Sequence, residues 1–227
     1  MRTKNDFINF MIEAGVLTFG DFTTKSGRKT PYFVNTGNYK TGKHISTLGD
    51  YYADLVAYNI KTRGEKYDAL YGPAYKGITL VSATAGSLYK NHNIDIPFFF
   101  NRKEAKDHGE GGTIIGYMPK NGDQIGVIED VVTAGTAIRE SMELFKSITD
   151  IKIKTLYVSV DRMERGKGEL SALEELSKEH DINICAIINA RDIIDSFPVD
   201  DERKIKIEAY LKKYGAAPPA YRSQEIL

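Results

Sequence analysis

Short apolar runs bounded by Gly or Pro alternate along this chain with longer segments whose apolar residues recur every three to four positions. A short apolar run suits a strand buried on both faces, and a 3.6-residue period suits a helix laid across it. The alternation therefore predicts βαβ units around a parallel sheet. Five strands are expected, at residues 69–71, 98–101, 124–128, 155–160 and 184–189. Ile45, Leu48, Tyr52, Leu55 and Val56 mark one helical face that should stop at Gly64. Ile78, Val81, Ala85, Leu88 and Tyr89 mark a second that fades at Asn91. A third helix is expected over 137–148 with Ile138, Met142 and Phe145 inward, and Leu170, Leu173 and Leu176 mark a fourth. The fold class is thus α/β, a five-stranded parallel sheet with helices on both faces.

The first forty residues break this rhythm. Residues 4–14 have a helical pattern, and DFTTKSGRKTPYFVN reads as a hairpin around a Ser-Gly-Arg turn, with Pro31 opening the return strand. We expect a small N-terminal subdomain over 1–40, a core over 41–215 and an extended tail over 216–227, where Pro218 and Pro219 end any helix begun near Asp201.

With 227 residues the chain can bury its core without staples, and its one cysteine, Cys185, lies in the apolar run INICAIINA. It reads as a core residue in a reducing compartment. Lys plus Arg and Asp plus Glu balance at 31 each, which gives no overall positive field to draw nucleic acid. No stretch approaches the roughly 18 consecutive apolar residues of a membrane helix, and the N-terminus has no signal-peptide core. A soluble cytoplasmic protein, with neither membrane nor nucleic acid as partner, is expected.

Residues 127–136, VIEDVVTAGT, carry the most chemistry. A strand ending in Glu129 and Asp130 can accept hydrogen bonds from vicinal sugar hydroxyls. The backbone N–H groups of Thr133 to Thr136, at a helix start, suit a phosphate. A phosphorylated sugar satisfies both halves, whereas a buried strand that happens to end in acids would need neither the two Thr nor the Gly.

Three more segments fall at strand ends or in loops. YGPAYKG, residues 71–77, places Tyr75 and Lys76 before a second helix N-terminus; by itself it is also an ordinary turn. NRKEAKDHGEGG, residues 101–112, interleaves Arg102, Lys103, Lys106 and His108 with acids and ends in glycines. It reads either as a solvated loop or as a hinged lid presenting cations to a polyphosphate. KSGRKTPYF sets Lys25, Arg28 and Lys29 around a tight turn, with Phe33 either in the core or free to stack on a flat ligand. Arg162, after the strand TLYVSVD, can pair with a neighbour or clamp a ligand carboxylate. The four histidines have no metal-ligand spacing, so a divalent ion is expected only as Mg²⁺ carried by substrate phosphates.

Together, VIEDVVTAGTA, KSGRKTPYF, YGPAYKG and NRKEAKDHGEGG resemble the orotate phosphoribosyltransferase family of the type I phosphoribosyltransferases, in matching order from about Phe19 to Arg162. The resemblance implies a Rossmann-like core with an N-terminal hood. It also implies transfer of ribose 5-phosphate from phosphoribosyl pyrophosphate to orotate, giving orotidine 5′-monophosphate and pyrophosphate in pyrimidine synthesis, with Mg²⁺. Carried over by motif, Glu129 and Asp130 hold the ribose and Val131, Val132, Thr133, Ala134, Gly135, Thr136 and Ala137 cradle the 5′-phosphate. Lys25, Tyr75 and Lys76 face the donor. Arg102, Lys103, Lys106 and His108 form a lid that closes over the partner's site in a homodimer, and with Asp130 they are the implied catalytic groups. Phe33, Val34, Thr133 and Arg162 would surround orotate. Glu129 stands where the family more often has Asp, and Val34 where a second aromatic is frequent. A phosphoribosyltransferase for another base and a non-catalytic sensor of phosphoribosyl pyrophosphate are the competing readings; the sensor would need a basic face that the charge balance does not supply.

Overall fold

The computed structural model describes residues 2–24, 27–103, 113–166 and 168–216; Lys25, Lys106, His108 and the tail over 217–227 lie outside the described residues. At the N-terminus, α1 (Lys4–Glu13) opens on a capping box in which the Thr3 hydroxyl accepts from the Asp6 N–H and the Asp6 carboxylate accepts from the Thr3 N–H. An antiparallel hairpin follows, β1 (Leu17–Thr23) and β2 (Lys29–Val34). It ends in a 3₁₀ turn, Thr36–Asn38, that is fixed twice: the Asn35 side chain accepts from the Gly37 N–H, and Asn38 Nδ2 donates to the Gly15 carbonyl at 2.7 Å.

From there strands and helices alternate as α2 (Gly42–Arg63), β3 (Ala69–Gly72), α3 (Lys76–His92), β4 (Phe98–Asn101), β5 (Ile114–Gly116), β6 (Gln124–Ile128), α4 (Thr136–Ile148), β7 (Lys152–Asp161), α5 (Ala172–His180), β8 (Asn183–Asn189), α6 (Ala190–Asp195) and α7 (Glu202–Tyr214). The main sheet has the order β5-β4-β3-β6-β7-β8. All five expected strands are present and parallel.

The strand count needs correcting to six, because β5 pairs antiparallel with β4 at the edge. Three residues behind a glycine pair are too few to show a period, and only the ladder to β4 makes them a strand. The fourth helix starts at Ala172; Leu170 precedes its Ser171 cap, which forms a capping box with Glu174. No sequence period announced α6, whose six residues rest on the Asn189–Asp192 cap.

Period-two alternation sends strand side chains to opposite faces. Tyr157, Cys185 and Ile187 go to one apolar cluster, and Leu156, Val158, Ile184 and Ala186 to the other. α1, the hairpin, α2, α3 and α7 contribute to the first cluster, so the N-terminal segment packs on the α2 face of the sheet. α4 and α5 cover the opposite face. Among the described residues no helix is long and apolar enough to cross a membrane.

Candidate active site

The acidic pair sits at the carboxyl end of β6, the edge where open parallel sheets bind ligands. Its backbone is held on both sides. Glu129 N–H donates to the Tyr157 carbonyl at 2.9 Å, and the Tyr52 hydroxyl donates to the Glu129 carbonyl at 2.6 Å. Ser159 donates to the Asp130 carbonyl from both its N–H (2.8 Å) and its hydroxyl (2.7 Å). These contacts fix where the two carboxylates start.

Beyond them the chain loops through Val131–Ala134 and enters α4 at Thr136, with Gly135 at the cap in a left-handed conformation (φ +71°) and no side chain capping the helix. No side chain therefore occupies the first N–H groups of α4 as a cap. A Cβ on Gly135 would lie 2.8 Å from the Arg139 guanidinium, which is itself in use: Arg139 donates to the Ala134 carbonyl and to Glu179, bracing the loop against α5.

The second loop, between β3 and α3, is shaped by a close backbone crossing. A Cβ on Gly72 would sit 2.0 Å from the Gly77 carbonyl oxygen, and one on Gly77 would sit 2.7 Å from the Gly72 carbonyl carbon. Only two glycines can pass there. Asn101, at the end of β4, pins the loop by accepting from Ala74 N–H at 3.0 Å and from the Tyr71 hydroxyl at 2.7 Å. The Ala74–Tyr75 peptide is cis. Tyr75 is 69% exposed, and Lys76 opens α3.

The two loops meet across a cleft of about 230 Å³ lined by residues 73–76 and 129–138. Lys76 Nζ lies 2.7 Å from Asp130 Oδ2 and 2.9 Å from Thr36 Oγ1, and the Thr36 hydroxyl donates to the same Asp130 oxygen at 2.5 Å. The acids have diverged electrostatically. Burial, reinforced by the Asp130 charge, pushes Glu129 up to about 8. Burial would raise Asp130 too, but the hydrogen bonds from Lys76 and Thr36 outweigh it and hold that carboxyl below its ordinary value. The cation and the Thr36 hydroxyl favour the charged form of Asp130, while burial beside that charge disfavours it at Glu129.

At the cleft mouth, Arg102 N–H donates to the Thr113 carbonyl at 2.7 Å, extending the β4–β5 ladder, and Lys103 Nζ lies 5.8 Å from the centre of the Tyr75 ring. The stem of the anticipated lid therefore rises beside the Lys76 loop. Thr133 lines the cleft, whereas Phe33, Val34 and Arg162 do not. Phe33 is 37% exposed and packs on Phe22 with ring centres 5.6 Å apart, and Val34 leans on the first apolar cluster. Arg162 is occupied: Nε and Nη2 donate to Glu164 Oε1 at 2.9 and 2.6 Å, and its guanidinium lies over the Tyr32 ring at 5.1 Å. Arg28 ties the hairpin to the same segment by donating to the Arg165 and Gly166 carbonyls.

A protein from Clostridium beijerinckii named orotate phosphoribosyltransferase is 48% identical over 222 residues, covering 94% of this chain and 98% of its own. One of that name from Clostridium botulinum is 45% identical over the same span. The chain belongs to the orotate phosphoribosyltransferase family. The crystal structure of the family's Francisella tularensis member superposes with a TM-score of 0.82 at 40% identity, covering 92% of this chain and 99% of that one. No protein-family model matches the chain.

As an orotate phosphoribosyltransferase family member the chain is a pentosyl-transferring enzyme of pyrimidine biosynthesis, as the four motifs implied. Thr36, Ser159 and Asn101 were not among the residues singled out from the sequence, and Tyr52 was marked there only as part of a helical face. Tyr52 and Ser159 act through main-chain oxygens that no side-chain pattern reveals. Thr36 and Asn101 had a weak signal, as polar residues shortly after a strand and at the end of one.

Proposed function

We propose that the cleft between residues 73–76 and 129–137 binds phosphoribosyl pyrophosphate and transfers its ribose 5-phosphate to orotate. What supports the reading most is the convergence of Lys76 and Asp130 at 2.7 Å, since one loop offers a cation and the other a sugar-binding acid at a single point. The 5′-phosphate takes the N–H groups at the start of α4. Asp130 and Glu129 face the ribose hydroxyls as their hydrogen-bond partners. Lys76 and Tyr75, with Arg102, Lys103, Lys106 and His108 from the lid, face the diphosphate, and Lys25 reaches the donor from the hairpin.

As the bond from ribose C1 to the diphosphate oxygen breaks, positive charge grows on the sugar and negative charge on the departing group. Cations aimed at the latter stabilise the transition state more than the ground state. Closure of the lid keeps water from the activated sugar. Orotate presents its N1 from the Thr133 side of the cleft, with Phe33 and Val34 on the hairpin closing over it and Arg162 released from Glu164 to meet the orotate carboxylate.

Among the described residues no three His, Cys, Asp or Glu side chains converge on a metal position. Two adjacent carboxylates at the cleft fit instead a Mg²⁺ held chiefly by diphosphate oxygens, with Asp130 and Glu129 the protein groups within reach. That ion would neutralise charge on the leaving group. We place the enzyme in the cytoplasm as a homodimer sharing its lids.

Loss of orotate absorbance with phosphoribosyl pyrophosphate and Mg²⁺, run beside uracil and adenine, tests the reading. Turnover of orotate alone is expected, with selectivity falling in Arg162→Ala. Turnover of a neutral base in preference to orotate would replace it.

A further inference from the structure

Thr36 lies in none of the motifs that carry the family resemblance, yet its hydroxyl touches both halves of the cleft. It donates to Asp130 Oδ2 at 2.5 Å and accepts from Lys76 Nζ at 2.9 Å. A hydroxyl can do both at once, with one proton to give and lone pairs to receive, and an ammonium can only donate while a carboxylate can only accept. The polarity of the triad is thereby fixed.

The turn that carries Thr36 is also held rigidly. Asn35 caps Gly37, and Asn38 is bonded to Gly15 behind the hairpin, so the hydroxyl is presented from the N-terminal subdomain on a short braced segment.

We propose that Thr36 is a positioning residue for the donor substrate. It keeps the Asp130 carboxylate aimed at the ribose after Lys76 has left it for the diphosphate. In the free enzyme Asp130 has two donors at one oxygen. Once Lys76 turns to the diphosphate, Thr36 remains as the donor from outside the acidic loop, beside the Val131 N–H and the Glu129 side chain within it, and without Thr36 the carboxylate loses its tie to the N-terminal turn and can shift relative to the sugar hydroxyls. The inference rests on the proposed donor-binding role of the cleft.

Steady-state kinetics of Thr36→Val, Thr36→Ala and Thr36→Ser in the full-length enzyme, varying each substrate separately, provide the test. A hydrogen bond to a charged group that acts on bound substrate commonly matters by about tenfold or more. The KM for phosphoribosyl pyrophosphate should therefore rise about tenfold in Thr36→Val and Thr36→Ala. The KM for orotate should stay within about twofold, and Thr36→Ser should restore both. Donor KM unchanged in both hydroxyl-free variants would overturn the proposal, as would failure of Thr36→Ser to rescue. So would a parallel rise in both KM values with a lowered melting temperature, since that marks collapse of the turn. A wild-type enzyme that consumes no orotate would instead defeat the parent reading, and the proposal with it.

Discussion

Glu129 and Asp130 are adjacent in sequence and titrate in opposite directions because their side chains find different partners. Lys76 and Thr36 both reach Asp130, whereas Glu129 is 8% exposed and faces its neighbour's charge. A carboxyl whose folded value is raised keeps a proton that the unfolded chain would release. Its stabilisation is complete below the ordinary value of 4.5 and is lost as pH rises towards about 8. Glu129→Gln keeps the shape and cannot ionise. Relative to wild type, its melting temperature should therefore gain steadily between about pH 5 and about pH 8. A difference that stays constant across that range would show that Glu129 is not the titrating group.

At the scale of elements, each half of the cleft is a strand, a loop and a helix start, and glycine decides whether the loop can be made. Gly72→Ala would drive a methyl against the Gly77 carbonyl at a separation of 2.0 Å. Overpacking of this kind costs about 1–3 kcal/mol. The shift it forces would displace Lys76, so both the urea midpoint and kcat should fall; normal kcat in a destabilised Gly72→Ala would detach the crossing from catalysis. Both halves were legible in the sequence because Gly72, Lys76 and Gly77 fall within one short motif, and Glu129 and Asp130 within another, each between a predicted strand and a predicted helix. β5 was not, since three residues carry no period and their pairing with β4 is a tertiary fact. The Thr36 contact joins positions 94 residues apart, and nothing local to a Thr-Gly-Asn turn encodes it. Of the two readings kept for Arg162, the structure shows the pairing with a neighbour, Glu164.

On the scale of the whole molecule, the claim at stake is that two subunits complete each site. If the segment that carries Lys106 is the lid over the cleft that holds Lys76, Lys106→Ala and Lys76→Ala should each keep the fold and lose most turnover, about 10²–10³-fold for one preorganised charge. Mixed after unfolding and refolding together, the two inactive variants should regain about a quarter of wild-type activity if the lid acts on the partner. Half of the dimers then contain one unimpaired site of two. No recovery would place the lid over its own subunit's cleft.

The division of the cleft into a part that holds the ribose and a part that meets the departing diphosphate is tested most directly by one kinetic comparison. Asp130→Asn and Lys76→Ala are assayed side by side for kcat and for the KM of phosphoribosyl pyrophosphate. Asp130→Asn should act mainly on KM, because the ribose is held before and during transfer, and Lys76→Ala mainly on kcat, because the charge it meets develops only as the bond breaks. Equal effects of the two substitutions on the same parameter, or turnover of orotate that neither one disturbs, would contradict it.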